Sequence, residues 1–410
     1  MNILLINHYA GSSLHGMEYR PYHFALEWIK AGHKVTIIAA SFSHVRSSQP
    51  KCLESITTEI IDGIRYIWLK TLEYHGNGLK RVINMLSFAG QLYARSLPIE
   101  EPDIVIDSST YQLTIYGSNK IAKKYGAQLI FEVHDLWPFS PMELGGFSKW
   151  HPFIMVIQCA ENYAYKNAHR VISLLPKAKK HMISHGMIPE KFVYIPNGID
   201  ISAWQLPSSL PEEQIRLLQK LKGEGKFIVG YVGAHGVANA LQYFIKAAAI
   251  LKEQDKIHFL LVGQGSEKEA LKHLVKTENL SNVDFLPPIP KTSIPSLLAV
   301  MDVVYIGANR NLLYRFGVSP NKLMDYMMAA RPVIHAIEAG NDLVAESGCG
   351  ISLPPEDPNA IADAALHLFE ISPEERDAMG QKGRDYVKTY HDYAVLANRF
   401  LEVCKWVGPP

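Results

Sequence analysis

The segment 314–334 combines residue types that could bind a phosphorylated ligand. A loop containing Gly317 leads into the Ser-Pro pair 319–320, which is typical of the N-cap and first turn of a helix. A helix N-terminus reached through a glycine loop can bind an anion, because its unpaired amides and dipole point at the ligand. Asn321 and Asp325 project from one face of this helix. The pattern predicts a diphosphate at the loop and a ribose diol at Asp325, with an ordinary capped helix as the structural alternative.

Three further turns place glycines directly after apolar segments that are typical of buried strands. These glycines let the backbone approach a ligand without a Cβ in the way, and they are Gly11, Gly16, Gly233 and Gly263. The spacing of Gly11 and Gly16 fits neither the dinucleotide fingerprint nor a P-loop. A purely structural turn stays an open alternative for each.

A polar pair, His134 and Asp135, follows the apolar segment 129–133. The carboxyl end of a buried strand is where α/β active sites are built, so His134 is a candidate functional residue. A structural histidine with satisfied hydrogen bonds is the alternative. No nucleophile elbow is present, which argues against a catalytic triad. Arg20, at the start of the first predicted helix, is either a phosphate ligand or a surface arginine.

The first half of the chain alternates short Ile- and Val-rich segments with amphipathic ones, which predicts a parallel, doubly wound sheet. The segment 58–69 is typical of a hairpin that turns at residues 62–63. The strands are predicted at 3–7, 35–39, 103–107, 129–133 and 171–173, with a helix at 21–30.

A second alternating series begins at residue 227, after a weakly patterned stretch, 201–225, that we interpret as the interdomain linker. This series predicts strands at 227–232, 258–262, 283–286, 303–306 and 333–336. The intervening helices include one at 320–330. The predicted domains are residues 1–198 and 199–390, each long enough to bury its own core, with a last helix within 391–410.

Composition excludes several classes of protein. The chain of 410 residues is 48% hydrophobic and 20% charged, and its net charge of +1 gives no reason to expect nucleic acid as a partner. The four cysteines are scattered without metal-type spacing, which suits a reducing cytosol. A strand-like segment follows Met1 directly, so we expect no secretion signal. No apolar run approaches membrane-spanning length, and a cytoplasmic protein, in solution or on the inner face of the plasma membrane, is expected.

The segment Phe-Gly-Val-Ser-Pro-Asn-Lys-Leu-x-Asp-Tyr-Met, at 316–327, resembles the donor-site motif of retaining glycosyltransferases of family four. The opening Asn-His-Tyr-Ala-Gly and Gly-Met-Glu-Tyr-Arg-Pro-Tyr stretches resemble a branch that builds bacterial surface polysaccharides such as O-antigen and capsule, including N-acetylfucosamine-type transferases. The resemblance covers nearly the whole chain. It implies the α/β GT-B fold, in which two Rossmann-like domains face a central cleft and the last helix, within 391–410, crosses back to the first domain.

The resemblance also implies the reaction and its residues. A sugar would move from a nucleotide diphosphate to a saccharide or an undecaprenyl-diphosphate-linked acceptor, with no metal cofactor. By analogy with the family, the nucleotide would be UDP. The catalytic residues would be His134, which positions the sugar, and Arg315 and Lys322, which neutralise the diphosphate. The donor site would comprise the four glycines named above together with Phe316, Gly317, Val318, Ser319, Asn321 and Asp325.

Two departures from the family pattern bear on the donor. The family motif is Glu-x7-Glu; Asp325 takes the place of its second glutamate and Gly317 that of its first. The loss of that first carboxylate enlarges the pocket, so a less hydroxylated or N-acetylated sugar is expected. An arginine and a lysine that usually grip the diphosphate are missing beyond Gly233. A nucleotide-sugar epimerase of the same fold and a non-catalytic nucleotide-sugar-binding subunit stay open as alternatives.

A helical segment at 79–97 has an apolar face flanked by Lys80 and Arg81. A core helix is the simple interpretation. The functional one is an edge that meets a lipid-linked acceptor at an anionic membrane surface, as in relatives that extend undecaprenyl-diphosphate sugars. The predicted face consists of Val82, Met85, Leu86, Ala89, Leu92 and Tyr93.

Overall fold

The structure is a computed structural model that describes residues 1–16, 19–76, 78–108 and 110–405. Two residues of the opening motif, Met17 and Glu18, and the end of the predicted last helix lie outside the described residues. The chain divides into two compact units, Met1–Asn197 with Tyr393–Pro410 and Gly198–Asp392. The sequence placed these boundaries after residues 198 and 390.

The first unit is built on an eight-stranded sheet of order β3-β4-β2-β1-β5-β6-β7-β8, in which only the β3–β4 hairpin is antiparallel. The central strands are buried on both faces, which is why they are rich in Ile, Leu and Val. The strands are Asn2–Ile6 (β1), Lys34–Ala40 (β2), Ile56–Ile61 (β3), Ile64–Leu69 (β4), Ile104–Asp107 (β5), Gln128–Val133 (β6), Arg170–Ser173 (β7) and Phe192–Tyr194 (β8).

Helices cover this sheet, and the last helix of the chain is among them. They are Arg20–Lys30 (α1), Leu79–Ala94 (α2), Ile115–Tyr125 (α3), Phe139–Gly145 (α4), Pro152–Asn167 (α5), Lys179–Ser184 (α6) and Tyr393–Lys405, the last of which is α15. Phe400 of α15 packs edge-on against Phe24 and Trp28 of α1, with ring centroids 5.4 and 5.1 Å apart. Helix α15 therefore completes the core of the first unit.

The second unit has a six-stranded, fully parallel sheet of order β11-β10-β9-β12-β13-β14. Its strands are Phe227–Val232 (β9), Ile257–Val262 (β10), Val283–Leu286 (β11), Val303–Gly307 (β12), Val333–Ala336 (β13) and Gly350–Ser352 (β14). Its helices are Glu212–Gly223 (α7), Leu241–Ile250 (α8), Lys268–Thr277 (α9), Ile294–Leu298 (α10), Asn321–Met328 (α11), Leu343–Ser347 (α12), Pro358–Glu370 (α13) and Pro373–Tyr390 (α14).

Two predictions about local structure are wrong. The supposed linker 201–225 contains α7, which buries Leu218 and Leu221 in the core of the second unit. Helix α11 begins at Asn321, and its N-cap is Pro320 in an extended conformation rather than Ser319. Pro320 disfavours the helical conformation for the residue before it, so the serine stays in the loop.

The four cysteines are free thiols. Among the residues described, no helix is long and apolar enough to cross a bilayer.

Candidate functional site

Two glycine turns pack directly against each other at the carboxyl edge of the second sheet. Gly233 and Gly263 follow β9 and β10 with φ angles of 154° and 152°, where other residues are strained. A Cβ at Gly263 would lie 1.9 Å from the carbonyl oxygen of Gly233. Only glycine fits at this contact, so the chemistry of the edge depends on the groups that surround it.

Lys322, the second residue of α11, lies beside these turns. Its Nζ donates to the hydroxyl of Tyr231 and to Oδ1 of Asn239, each at 2.7 Å. A Cβ on Gly233 would lie 3.2 Å from this nitrogen. Burial lowers the pKa of Lys322 to about 8. Within the described part of the chain no carboxylate pairs with it, so the ammonium group is held by neutral partners and is suited to an anionic ligand.

His235 adds a second nitrogen base to this edge. The side chain is fully buried, and neither ring nitrogen has a hydrogen-bond partner among the residues that the structure covers. Burial and the charges of Lys268 and Lys322 lower the pKa of His235 to about 4. The imidazole is therefore neutral at physiological pH in a region of positive potential. The sequence did not indicate His235, Tyr231 or Asn239, although Tyr231 lies in β9 and the other two lie in the segment that follows it.

The loop that precedes α11 is held in one conformation. Gly317 has a φ of 105°, which favours glycine. A Cβ at Gly340 would lie 2.3 Å from the carbonyl oxygen of Arg315, so these two segments are in close contact. Asn341 accepts from the backbone N–H of Val318 at 2.7 Å and donates to its carbonyl at 3.0 Å. Asn341, which the sequence did not indicate, thus fixes the loop that carries the predicted donor residues.

Arg315 lies on the exposed side of this loop. Its Nη1 donates to the carbonyl of Leu312 at 3.1 Å, and its guanidinium lies 4.6 Å from the ring centroid of the buried Phe316. It borders a pocket of about 500 Å³ in the second unit. The residues that line this pocket are Arg310, Asn311, Leu312, Arg315, Glu338, Ala339 and Gly340.

Asp325 lies one turn further along α11 than Lys322. Its Oδ2 accepts from Nζ of Lys291 at 3.2 Å, and its side chain is 13% exposed. Burial raises the pKa of Asp325 above its ordinary value, against the opposing effect of Lys291. Of the other predicted donor residues, Asn321 is exposed and Ser319 is half-buried in the loop. The second unit therefore brings together the glycine turns, the loop 315–318 and one face of α11.

In the first unit, His134 belongs to a buried polar network. Its Nε2 lies 2.9 Å from Oγ of Ser108 and 3.1 Å from Oε2 of Glu132. The Nε and Nη2 atoms of Arg20 donate to Oε1 of Glu132 at 3.0 and 2.9 Å. Burial alone would raise the pKa of Glu132, but Arg20, His134 and Ser108 together hold it far below its ordinary value. The network orients His134 at the carboxyl end of β6.

Both predictions for Arg20 are wrong. The residue is 4% exposed, so it is not a surface arginine. Its guanidinium is occupied by Glu132 and by the carbonyls of Ile195 and Pro196, at 3.0 and 2.5 Å, rather than open to a phosphate. A tertiary ion pair with a residue 112 positions away could not be deduced from the local pattern.

The predicted phosphate loop of the first unit is a tight turn. The backbone at Ser12 pairs with that at Gly16, which has a φ of 83°. A Cβ at Gly16 would lie 2.4 Å from Oγ of Ser47, and Gly11 accepts a hydrogen bond from the hydroxyl of Tyr66 at 2.8 Å. These contacts hold both glycines close to neighbouring segments of the first unit.

The predicted apolar face of α2 is wrong in part. The buried side chains include Met85, Phe88 and Leu92, whereas Leu86 and Tyr93 are 51% and 53% exposed. A second, exposed apolar stripe therefore runs along this helix. Lys80 is exposed, but Arg81 is half-buried, and its Nη2 lies 3.5 Å from the hydroxyl of Tyr9. Arg81 thus turns toward the protein rather than toward a surface.

Comparison with known proteins agrees with this architecture. Residues 14–203 match the model described as Glycosyltransferase Family 4, and residues 226–370 match the model described as Glycosyl transferases group 1. The chain belongs to these glycosyltransferases and has their GT-B fold.

Among curated proteins, the chain is 23% identical to the colanic acid biosynthesis glycosyl transferase WcaI of Escherichia coli K12, over 82% of this chain and 84% of the relative. It is 20% identical to the glycosyltransferase WbjE of Pseudomonas aeruginosa, over 72% of each chain. Sucrose-phosphate synthase from Thermosynechococcus elongatus has a similar structure, with a TM-score of 0.71 at 18% identity over 98% of both chains. Anabaena HepE in complex with UDP and glucose has a TM-score of 0.67 at 17% identity over 99% of both chains.

Proposed function

We propose that this glycosyltransferase moves a sugar from a UDP-linked donor to a saccharide acceptor with retention of anomeric configuration, in the synthesis of a surface polysaccharide. The observation that carries the donor site is Lys322, an ammonium group held by neutral partners at the N-terminus of α11. The structural likeness to HepE, whose complex contains UDP, supports a uridine nucleotide. The relative WcaI, which is named for colanic acid biosynthesis, supports the polysaccharide role.

The main physical task of such an enzyme is to stabilise the departing diphosphate. Lys322 and the amides at the start of α11 would donate to its oxygens as negative charge develops, with Arg315 as an auxiliary cation. Asp325 would accept from the ribose hydroxyls, and His134 would orient the transferred sugar near the acceptor hydroxyl. Because these charges come from side chains and a helix end, turnover without a metal ion is part of the proposal.

We base the proposed identity of the donor sugar on the loop before α11. Gly317 offers no side chain to hydrogen-bond the sugar hydroxyls, and its positive φ makes this position suited to glycine. We therefore place a deoxy or N-acetylated sugar here rather than glucose. Faster turnover of UDP-glucose than of every amino or deoxy sugar tested would contradict this assignment.

The donor site can be tested by UDP titration of Asp325→Ala. The loss of hydrogen bonds from two ribose hydroxyls to a charged acceptor should weaken UDP binding by about 10- to 100-fold. Isothermal titration calorimetry on the variant measures this change, with Asp363→Ala, an exposed carboxylate of α13, as the matched control. An unchanged UDP affinity in Asp325→Ala would refute the ribose role.

Turnover with a panel of UDP-sugars and lipid-linked saccharides distinguishes the three candidate activities. A transferase releases UDP only when the acceptor is present. An epimerase changes the sugar with no net release of UDP, and a binding subunit does neither.

The exposed stripe on α2 supports an acceptor that is carried by a membrane lipid. Leu79, Ile83, Leu86 and Tyr93 are between 44% and 75% exposed and recur at helical spacing. The surrounding charge is positive: Lys80 and Arg95 are exposed, and exposed Lys120 of α3 lies 4.6 Å from the ring centroid of Tyr93. We assign this surface to an anionic bilayer, which apolar side chains and basic residues bind together.

Vesicle flotation measures this contact. The protein should float with vesicles that contain phosphatidylglycerol more than with phosphatidylcholine alone, and Leu86→Ser with Lys80→Glu should abolish the difference. Leu206→Ser, at a position that is 90% exposed in the second unit, is the matched control. Equal flotation of the α2 variant and the control would rule out this surface.

A further inference from the structure

A group of metal-ligating side chains lies in the first unit, on α5 and α6. Glu161 is on α5, His181 is on α6, and His185 is the C-cap of α6. Each offers one ligand atom, and the three atoms lie within 4.8 Å of one another. The two histidines are four residues apart, which places them on one face of a helix in successive turns. None of these residues has a part in the proposed sugar transfer.

Glu161 is a buried carboxylate, with an exposed fraction of 1%. Its oxygens accept from the hydroxyl of Tyr165 at 2.9 Å and from the amide of Gln158 at 2.6 Å. Both of these donors are neutral. Nε2 of His181 lies 3.7 Å from the carboxylate, which is beyond an ordinary hydrogen bond. A buried carboxylate is stable when a positive charge is near it, and a cation held between Glu161 and His181 would provide one.

The ring of His185 has one nitrogen in a backbone hydrogen bond and a second that can bind a metal ion. Its Nδ1 lies 2.9 Å from the backbone carbonyl of His181, a distance at which it donates, and this leaves the lone pair on Nε2. The imidazoles of His181 and His185 have centroids 4.3 Å apart. The side chains of Tyr165 and Gln158 hold the carboxylate of Glu161 by hydrogen bonds. The three ligands are thus each positioned by a further hydrogen bond or ring contact.

We propose that Glu161, His181 and His185 bind one Zn²⁺ ion. Two imidazoles and a carboxylate are a ligand set that zinc prefers, with water as a fourth ligand, whereas Mg²⁺ prefers oxygen ligands alone. Tetrahedral zinc holds its nitrogen and oxygen ligands about 3.4 Å apart, so separations of up to 4.8 Å must close by up to about 1.4 Å on binding. The ion would join α5 to the end of α6 and stabilise the first unit.

Zinc titration of the full chain, treated first with a chelator, tests this site. Exposed or half-buried thiols also bind zinc, so the background is Cys52→Ser with Cys159→Ser. Calorimetry at neutral pH should show one Zn²⁺ per chain, and thermal unfolding should shift upward with Zn²⁺ but not with Mg²⁺. His185→Ala should weaken zinc binding by at least about tenfold, because it removes one of three protein ligands.

The control is His273→Ala, which removes an exposed histidine of α9 in the second unit. It should leave both the stoichiometry and the thermal shift unchanged. His185 is only partly buried, so its alanine variant can be checked for folding by circular dichroism before titration. Absence of zinc binding by the parent chain, or equal binding by His185→Ala and His273→Ala, would overturn the proposal.

Discussion

Replacement of Lys322 by alanine should lower kcat/KM for sugar transfer by about 10²- to 10³-fold, the cost of removing one preorganised donor to a developing negative charge. Lys322 is placed for that role by Tyr231 and Asn239, and within the described residues no carboxylate neutralises it. Coupled measurement of UDP release in the presence of acceptor gives kcat/KM. Lys272→Ala, on the exposed face of α9, is the matched control and should retain full activity.

The dependence of kcat/KM on pH is a second measurement. A lysine with only a structural role would not affect it. Burial lowers the pKa of Lys322 to about 8, so the ammonium form predominates below that pH and is lost above it. Because the diphosphate binds the charged form, kcat/KM should decline as pH rises through about 8. Lys322→Arg keeps its charge throughout this range, so whatever activity it retains should show no such decline. Identical profiles for the two proteins would contradict a charge-based role.

Replacement of Glu132 by alanine should destabilise the first unit by about 3–5 kcal/mol, because it leaves the guanidinium of Arg20 buried without its counter-ion. Both side chains are almost inaccessible, at 3% and 2% exposure, so water cannot compensate for the loss. Urea unfolding followed by far-UV circular dichroism measures the change as a shift in the transition midpoint at constant slope.

The control for this prediction is an exposed ion pair in the second unit. Arg216 and Glu212 lie 2.9 Å apart on α7 and are 79% and 84% exposed. Glu212→Ala should therefore change stability by less than about 1 kcal/mol. The double variant Arg20→Met with Glu132→Leu should be less destabilised than Glu132→Ala, because no unpaired charge stays buried. A Glu132→Ala protein as stable as Glu212→Ala would show that the buried network does not support the fold.

Lys322→Ala and Glu132→Ala differ in what they disturb. Glu132 contacts His134, so Glu132→Ala should also disturb the orientation of that imidazole, whereas Lys322→Ala leaves the network of the first unit intact. Activity of Glu132→Ala must therefore be measured at a temperature well below its unfolding transition.

Much of the architecture follows from local patterns. Largely apolar segments such as 129–133 and 227–232 correspond to β6 and β9, because a strand buried on both faces needs apolar side chains at most positions. The hairpin at residues 62–63 was also predicted, since Asp-Gly adopts the positive φ angles that such a turn requires. The family motif at 316–327 pointed to the GT-B fold that the comparisons confirm.

The residues that hold the side chains of the candidate site in place could not be predicted from local patterns. Tyr231 and Asn239 hold Lys322 across 91 and 83 residues of chain, and Arg20 pairs with Glu132 across 112. Such partners depend on which elements the sheet order makes adjacent. The periodicity of apolar residues within one segment contains no information about this.

What the sequence by itself determined is therefore the alternation of strands and helices, the glycine turns and the class of protein. The tertiary structure alone decided that Arg20 is buried, that Arg81 turns toward Tyr9 and that α7 packs on the second unit. The physical reason is that secondary structure arises from periodic burial of neighbouring residues, whereas the hydrogen-bond partner and the charge state of a side chain depend on distant segments that packing brings together.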